Sequence, residues 1–592
     1  MQPSIGDYAL IGDGRTAALS SSAGSIDWMC LPRFDSDPIF GRLLSEDGGG
    51  SFSIAPIGVT GTTRRYRSGS AVLETTWRTR SAELLLTEGL VLDASERLGP
   101  QLLLCRRLKA RGGSADVEIT FDPRNGFTGE RLRVGRRGDA LVCTRGSLAV
   151  SLQSSPVLAV TPGEALRTTV SPDTPLTIVF AGADREPLVF VEPAEALRRL
   201  EATDRWWREW SGRISYQGAR SEAVVRSLIT LRLLTYAPSG APVAAPTTSL
   251  PEVIGGDRNW DYRYAWPRDA SIGVEAFLEL GRDEEARSFM HWLLHSSRLT
   301  HPRLRVLYTL DGKPGPEERE LDEIGGFRRS APVRVGNAAG DQHQLDVYGW
   351  VLEAAWHKDR VGDPLQGAEW RAIAGFVDLV AERWREPDAG IWEVRGPPTH
   401  HVHSKLMAWR ALDRACRLAD RYRTRPRRAQ TWRNEREALA NDLRTRGFDD
   451  SLGSYVGRYG SRDLDAAVLF VATTAFDRDP ARVNGTVDAV RRELSAGGPL
   501  LYRYEPESDG QSGREGAFLP CSFWLAQALA ATGRNDEAEA LFDTMCDRAN
   551  DVGLFAEEMD PSTGEHLGNF PQALTHASLI QAALALQRVS ED

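Results

Sequence analysis

The segment 255–270, GGDRNWDYRYAWPRDA, combines paired charges with large aromatic side chains. Three Arg–Asp contacts are available in it, Asp257–Arg258, Asp261–Arg263 and Arg268–Asp269, and four aromatic residues alternate with them, Trp260, Tyr262, Tyr264 and Trp266. Carboxylate and guanidinium groups form paired hydrogen bonds, and aromatic faces pack on apolar C–H groups. A sugar ring offers hydroxyls and a C–H face, so the segment predicts a carbohydrate site; a surface loop with salt bridges is the alternative.

Two other segments supply candidate acids and bases. Residues 388–396, DAGIWEVRG, place Glu393 beside Trp392, and residues 553–570 contain the adjacent pair Glu557 and Glu558. Cleavage of a glycosidic bond needs one carboxylic acid to protonate the leaving oxygen and a second carboxylate to attack or to activate water. Apolar surroundings raise the pKa of such an acid, and Trp392 could provide them. Three acids in similar loops are reserve candidates: Glu252, Asp322 and Glu323.

The remaining reactive residue types give weaker patterns. The histidines at 343, 400, 401 and 403 have no fixed coordination spacing with another cluster, so no metal site and no cofactor is predicted. The six cysteines occur without a CxxC motif and are interpreted as buried thiols. The triple glycine at 48–50 lacks the strand and helix of a phosphate loop and is interpreted as a turn.

Composition narrows the class of protein. The chain of 592 residues has a net charge of −10, which argues against a nucleic-acid partner because such partners favour a basic face. It contains no run of about 18 apolar residues, so no membrane partner is expected. The first residues, MQPSIGDYAL, lack a basic and then apolar leader, so a cytoplasmic location is the default expectation. The oligomeric state is left open.

The first ~190 residues are predicted to form β-structure, because short runs of strand-forming residues are separated by turn residues. The expected strands are 71–79, 82–90, 101–106, 116–121, 140–153, 176–181 and 187–192. With no helical pattern between them, they favour an antiparallel sandwich. The charged segment 193–219, with Trp206, Trp207 and Trp210, predicts a linker helix between two domains.

From residue 220 onward the apolar residues recur at helical spacing. The expected helices are 221–236, 270–281, 283–296, 341–358, 366–384, 402–420, 427–445, 462–475, 480–494, 515–532, 535–549 and 571–588. Short and long connections alternate, as in six antiparallel hairpins. A closed ring of hairpins brings the long connections to one face, and long loops in compact domains are usually functional. The expected division is 1–192, 193–219 and 220–592.

Ordered motifs along nearly the whole chain resemble the bacterial branch of glycoside hydrolase family 15. They include IGDYALIGDGRTAAL (5–19), the 255–270 segment, GIWEVRG (390–396), EGAFLPCSFWLAQAL (515–529) and GLFAEEMD (553–560). The resemblance implies an N-terminal β-sandwich followed by an (α/α)6 barrel, with inverting hydrolysis of α-glucosides as the activity. The twelve helices expected from periodicity agree with it.

The resemblance also implies residue roles. Glu393 is expected to be the general acid and Glu557 the general base, with Arg268 and Asp269 gripping the terminal sugar. Trp266 and Trp392 are expected to wall the first sugar subsite, and Arg334 to contact sugar. Trp260, in the aromatic segment, is a further candidate for substrate binding. Glu558 is expected either to raise the pKa of Glu557 or to bind a sugar hydroxyl. Inversion predicts roughly 6.5–9.5 Å between the two carboxyl groups.

Several functions stay open at this point. Release of glucose from the non-reducing end of maltooligosaccharides is the leading prediction, and a trehalase or an α-1,6-glucosidase of the same family is the alternative. A phosphorylase would use phosphate instead of activated water and would need no base such as Glu557. A carbohydrate-binding protein without catalysis is the third class.

Overall fold

The computed structural model describes residues 2–92, 102–505 and 515–591. Its N-terminal part consists of strands that run mostly antiparallel to their sequence neighbours. In chain order these are β1 (Tyr8–Gly12), β2 (Ala17–Ser21), β3 (Ser25–Cys30), β4 (Pro38–Phe40), β5 (Phe52–Pro56), β6 (Gly61–Tyr66), β7 (Leu73–Arg78), β8 (Glu83–Leu90), β9 (Leu102–Arg111), β10 (Ala115–Phe121), β11 (Arg124–Asn125), β12 (Glu130–Arg131), β13 (Arg133–Arg137), β14 (Ala140–Arg145), β15 (Leu148–Ser155), β16 (Ala165–Val170) and β17 (Leu176–Asp184).

Two antiparallel sheets pack face to face. One has the order β1–β2–β3–β5–β10–β16 with β4 paired to β3, and the other has the order β13–β14–β15–β17–β9–β8–β7–β6. Phe40 and Phe121 of the first sheet lie against Phe180 of the second, with ring centroids 5.6 and 6.1 Å away. The core therefore lies between the sheets, and the predicted sandwich is confirmed.

Strands β1–β6, β11–β13 and β16 were not predicted from the sequence, and two of the predicted strands differ from the structure. The run 140–153 is two strands, with Gly146 at φ 58° in the turn between them. The run 187–192 forms no strand; Leu188 and Val189 pack instead on a cluster that includes Leu200 of the next helix. Apolar β-branched composition signals burial as readily as strand pairing, which explains the second error.

Helices dominate the rest of the chain. In order they are α1 (Pro193–Ser211), α2 (Ser221–Leu233), α3 (Pro267–Glu279), α4 (Asp283–Ser296), α5 (Asp346–Arg360), α6 (Gly367–Arg383), α7 (Val402–Arg421), α8 (Pro426–Arg446), α9 (Val471–Thr474), α10 (Pro480–Glu493), α11 (Leu519–Ala531), α12 (Asn535–Cys546) and α13 (Ala573–Glu591). Each has a counterpart among the predicted helices. None of the helices in the described part of the chain could cross a membrane.

Helix α1 connects the two parts of the molecule. It packs on β9, β15 and β17 of the second sheet. At its end, Trp210 Nε1 donates to Glu285 Oε1 of α4 at 2.8 Å, and Arg282 lies over the Trp210 ring. The predicted linker helix thus contacts both sides, while the exact domain boundaries remain a prediction.

The other helices form two rings. The inner ring closes through successive contacts of α3, α5, α7, α9 with its preceding 3-10 turn, α11 and α13, and α13 returns to α3. The outer helices α2, α4, α6, α8, α10 and α12 pack on this ring. Helix α11 is apolar on nearly all sides and is buried except at its last residue. The predicted (α/α)6 barrel is confirmed, although its eighth helix is short: a 3-10 turn, Ala466–Phe470, followed by α9.

The long connections contain short strands that shape the loops. They are β18 (Thr235–Tyr236), β19 (Ala241–Pro242), β20 (Thr248–Pro251), β21 (Asn259–Asp261), β22 (Arg319–Glu320), β23 (Arg334–Val335), β24 (Phe448–Asp449), β25 (Ser454–Tyr455), β26 (Ser495–Gly497), β27 (Leu500–Leu501), β28 (Ala517–Phe518), β29 (Glu558–Met559) and β30 (His566–Leu567). Strand β21 pairs with β20, and β29 lies between β28 and β30.

A buried histidine ties three inner helices together. The His357 ring of α5 lies 3.4 and 3.1 Å from Glu275 and Glu279 of α3, and 3.2 Å from Glu353. Glu353 is also bound by Arg410 of α7 at 2.7 Å. Burial favours the neutral ring, but the surrounding carboxylates outweigh it and raise the pKa of His357 to about 10. The imidazolium is therefore part of the folded barrel.

This cluster predicts a pH-dependent contribution to stability. Because the folded pKa lies above the unfolded value of about 6.5, the stabilisation is complete below that pH and is lost as pH rises toward 10. His357→Gln should lower the free energy of unfolding by about 3 kcal/mol near neutral pH and by much less in alkaline buffer. Urea unfolding of both proteins across that range measures the difference. If the difference in the free energy of unfolding between the two proteins were the same at every pH, this account would be contradicted.

Candidate active site

A pocket with about 880 Å³ of space between protein atoms, part of it open to solvent, is lined by residues from the connections that precede α3, α5, α7, α11 and α13. This confirms that these long connections share one face of the barrel. The pocket brings together most of the predicted site residues: Trp260, Trp266, Arg268, Asp269, Trp392, Glu393 and Glu557.

One charged pair in the lining is Arg268 with Asp269, in the first turn of α3. Their side chains are 10% and 9% exposed, and Arg268 Nε donates to Asp269 Oδ1 at 2.9 Å. Arg268 Nη1 donates to the Ile391 carbonyl at 2.9 Å and reaches Glu393 Oε1 at 3.3 Å. The predicted Arg268–Asp269 contact therefore exists and joins α3 to the loop before α7.

The Glu393 carboxyl accepts a hydrogen bond from Trp266 Nε1 at 2.7 Å. Burial raises the pKa of Glu393, and the neighbouring Arg268 opposes that rise. A carboxyl group with a raised pKa can carry a proton at neutral pH, as a general acid must. The hydrogen bond to this group comes from Trp266, whereas Trp392 is the apolar neighbour of Glu393 that the sequence singled out.

The backbone of Glu393 is in an unfavourable conformation. Its φ is 58°, in the left-handed region that non-glycine residues rarely adopt. The side-chain amide of Gln342 donates to the carbonyls of Glu393 and Val394 at 3.0 and 3.3 Å. Such conformations persist where surrounding contacts impose them, and Gln342 supplies those contacts from the connection before α5.

Glu557 lies on the pocket from the connection before α13 and is fully buried. Its Oε1 accepts from the Tyr262 hydroxyl at 2.6 Å, and its Oε2 accepts from the Asn569 backbone at 3.4 Å. Burial and the nearby Glu252 carboxylate raise the pKa of Glu557 to about 8, while Arg503 and Tyr262 favour the ionised form.

Glu558 lies behind the pocket lining. Successive side chains of an extended strand point to opposite sides, and Glu558 begins β29 directly after Glu557. Glu558 is fully buried and is not in the pocket lining. Its carboxylate is 3.5 Å from Arg503 Nη2. The predicted sugar contact of Glu558 is therefore not part of this geometry.

A buried network of charges surrounds Glu558. Arg503 binds Glu252 at 2.7 Å and Glu515 at 2.6 Å, and Arg258 binds Glu515 at 2.6 Å. Arg258 thus turns inward to Glu515, whereas its expected partner Asp257 is exposed. The reserve acid Glu252 lines the pocket, and the reserve acids Asp322 and Glu323 are exposed.

The remaining predicted residues have supporting positions. Trp392 Nε1 donates to both Asp465 oxygens, at 3.0 and 2.9 Å, which fixes its ring in the pocket wall. Trp260 Nε1 donates to Glu252 at 3.0 Å. Arg334 is not in the lining; its guanidinium lies 4.6 Å from the Trp260 ring centroid and donates to the Asp257 carbonyl at 2.7 Å.

Sequence reasoning did not assign several lining residues, among them Tyr262, Asn337, Arg395, Arg503, Tyr504 and Gln572. Tyr262 belongs to the aromatic segment 255–270, but no role in the site was assigned to it from the sequence. Residues 502–504, YRY, repeat the alternation of aromatic and arginine residues in 262–264, YRY, and this was an available signal. The others lie in loops whose composition is ordinary.

The histidines considered as metal ligands each have their own separate contacts. His401 Nε2 contacts Thr399 Oγ1 at 2.9 Å, and His400 stacks on Tyr459. His403 is buried, and burial lowers its pKa to about 3. In the described ranges, these side chains join no group of three potential metal ligands.

The N-terminal domain contacts the 255–270 segment directly. Arg263 forms the predicted pair with Asp261, at 2.9 and 2.8 Å, and its Nη1 donates to the Ser36 carbonyl at 2.8 Å. Trp28 Nε1 donates to the Pro246 carbonyl at 2.8 Å. The aromatic and charged segment 27–36 therefore packs on the barrel beside the strand that carries Trp260.

Comparisons with known proteins agree with this architecture. Residues 218–584 match the family described as glycosyl hydrolases family 15, and residues 1–177 match the trehalase-like N-terminal family. A trehalase of Mycolicibacterium smegmatis is 35% identical, covering 100% of this chain and 92% of its own. A trehalase of Thermoplasma volcanium is 32% identical, covering 99% and 94%. A bacterial glucoamylase complexed with acarbose is similar in fold, with a TM-score of 0.70, 13% identity, and coverage of 100% and 94%.

The contacts of Gln342 predict a local change on its substitution. Gln342→Leu removes both hydrogen bonds to the Glu393 and Val394 carbonyls, each worth about 1 kcal/mol. We expect amide exchange of residues 393 and 394 to become about tenfold faster, measured by hydrogen–deuterium exchange. Gln581→Leu, which removes a glutamine bond to Glu275 instead, is the control. Unchanged exchange in Gln342→Leu would show that other contacts impose the Glu393 conformation.

Proposed function

Because the chain belongs to glycosyl hydrolase family 15, we propose that it is an inverting trehalase that cleaves α,α-trehalose into two glucose molecules. Relatives named trehalase are 30–35% identical over 95–100% of this chain. The likeness to the bacterial glucoamylase, at 13% identity, concerns the fold. Trehalose, the alternative substrate in the sequence analysis, is therefore favoured over maltooligosaccharides.

One observation carries the proposal: two carboxyl groups from distant loops line one pocket that is also lined by Arg268 and Asp269. Glu393 is bound to Trp266 and Arg268, and Glu557 to Tyr262. The two groups thus have different partners in a single pocket. Hydrolysis with one acid and one base requires such a difference of environment.

The proposed reaction is a single displacement. Arg268 and Asp269 hold hydroxyls of the first glucose, and protonated Glu393 gives its proton to the oxygen that joins the two rings. Glu557, as a carboxylate, takes a proton from a water molecule, whose oxygen attacks the anomeric carbon from the opposite face. The C–O bond to the second glucose breaks as the new C–O bond forms. The attacked ring is released as the β-anomer and the leaving ring as the α-anomer.

The roles require opposite protonation states of the two acids. Glu393 must hold a proton, which its burial favours. Glu557 must release one, which its burial opposes and the Tyr262 hydroxyl assists. The hydrogen bond from Tyr262 is therefore proposed to keep enough of Glu557 ionised for catalysis.

The first test measures glucose released from trehalose, maltose, isomaltose and dextrin, with proton NMR of the first product formed. We expect trehalose to be the best substrate, and α- and β-glucose to appear in equal amounts before mutarotation. If maltose and dextrin were cleaved better than trehalose, the activity would be that of a glucoamylase. If isomaltose were cleaved best, the activity would be that of an α-1,6-glucosidase. Release of a sugar phosphate only with added phosphate would indicate a phosphorylase.

Glu393→Gln and Glu557→Gln serve as controls for that assay. Each should lose about 10³-fold or more of turnover, since each removes a proton-transfer group, while both proteins remain folded by circular dichroism. Trehalose binding without turnover in the unaltered protein would indicate a binding function instead.

A second prediction concerns pH. Activity should fall as pH decreases through the pKa of Glu557, which is raised to about 8, so the acidic limb of kcat/KM should lie well above the ordinary glutamate value of about 4.3. Tyr262→Phe removes a hydrogen bond that stabilises the carboxylate and should move this limb to still higher pH. The measurement is the pH profile of kcat/KM for both proteins. A limb near pH 4 in both would assign the base to another acid.

A further inference from the structure

A bridge between two connections of the barrel borders the pocket. Arg395, from the connection before α7, binds Glu318, from the connection before α5, through two hydrogen bonds of 3.0 and 2.6 Å. The Arg395 side chain is 38% exposed, whereas the Arg268 side chain is 10% exposed. Arg395 also lines the pocket. The bridge therefore lies on the solvent side of the site.

Several contacts fix this bridge in place. Glu318 is only 13% exposed and accepts a hydrogen bond from the Ala338 backbone at 3.2 Å. It also lies 3.5 Å from Arg334 Nε. Paired hydrogen bonds between guanidinium and carboxylate fix orientation as well as distance. Glu318 thus holds the Arg395 guanidinium in one direction.

An aromatic ring supports the guanidinium. The Arg395 group lies 4.2 Å from the Trp260 ring centroid, within the range of a cation–π contact. Trp260 is itself fixed by its bond to Glu252 and by Arg334, 4.6 Å from the same centroid. Arginine has five N–H donors, and Glu318 uses two, so donors remain for a ligand in the pocket.

The position of Arg395 relates it to the second sugar ring. It follows Glu393 by two residues, at most about 7 Å along the chain. Under the proposed function, Glu393 protonates the oxygen between the rings and Arg268 holds the first ring. A pocket-lining group beside Glu393 and nearer to solvent therefore borders the second ring.

We propose that the bridge of Glu318, Arg395 and Trp260, here called the mouth bridge, determines specificity by enclosing the second ring and excluding longer chains. This inference rests on the proposed function. Arg395 binds hydroxyls of the second glucose, and the bridge occupies the space that a third ring would need. The substrate class is thereby limited to two-ring α-glucosides.

The test compares three variants on trehalose and on maltotetraose. Arg395→Ala removes the donor and the wall, and Glu318→Ala releases Arg395. The matched control is Glu320→Ala, which removes the same charge two residues away in the same connection; Glu320 is 52% exposed and pairs with Arg334, not with Arg395.

For Arg395→Ala we expect a loss of about 10- to 100-fold in kcat/KM for trehalose, mainly through KM, as for the loss of a substrate contact. The ratio of kcat/KM for maltotetraose to that for trehalose should rise at least about tenfold. Glu318→Ala should lower kcat/KM for trehalose and raise the substrate ratio by smaller factors. Glu320→Ala should leave kcat/KM for trehalose and the substrate ratio unchanged.

The outcomes separate this inference from the proposed function. If the unaltered protein cleaves trehalose and the substrate ratio is the same in all three variants, the mouth bridge does not set specificity. An equal change in Glu320→Ala would also overturn it, because charge alone would then explain the effect. If the unaltered protein cleaves no α-glucoside, the proposed function itself fails.

Discussion

The buried guanidinium of Arg268 is the interaction on which the pocket depends. Its partners are Asp269 in the same helical turn, the Ile391 carbonyl and Glu393 in another connection. A charge removed from water must be paired and hydrogen-bonded, so α3 and the Glu393 loop are held together by the cost of leaving it unpaired. The same cation limits how far burial can raise the pKa of Glu393. Arg268 therefore positions the proposed acid, while burial, opposed by that cation, raises its pKa.

A second group of lining and neighbouring residues has an excess of negative charge. Arg258 and Arg503 are packed among Glu252, Glu515 and Glu558, with Glu557 on the pocket side. Two guanidinium groups cannot neutralise so many carboxylates at low dielectric, and burial with mutual repulsion raises the pKa values of Glu252, Glu557 and Glu558. The proposed base thus belongs to a network whose carboxylates raise one another's pKa values, and the Tyr262 hydroxyl opposes that rise at Glu557.

The N-terminal domain contributes to the site through the backbone. Arg263 is fully buried and divides its donors between Asp261 and the Ser36 carbonyl. Asp261 ends strand β21, in which Trp260 stands. The Ser36 carbonyl of the N-terminal domain accepts a hydrogen bond from Arg263, which also binds Asp261 at the end of this strand. The two domains are therefore joined by polar contacts as well as apolar ones.

The sequence by itself determined the sandwich, the twelve barrel helices and the face on which the long connections meet, because periodicity and turn residues report burial over whole segments. It also identified Arg268, Asp269, Glu393 and Glu557 as lining residues, through motifs that resemble a family. It could not show that Glu558 turns away from the pocket, since that depends on the strand pairing of β29. Nor could it show that Arg258 pairs with Glu515, or that Gln342 and Glu318 reach across connections. Those contacts join residues distant in sequence, and only ring closure brings them within hydrogen-bond distance.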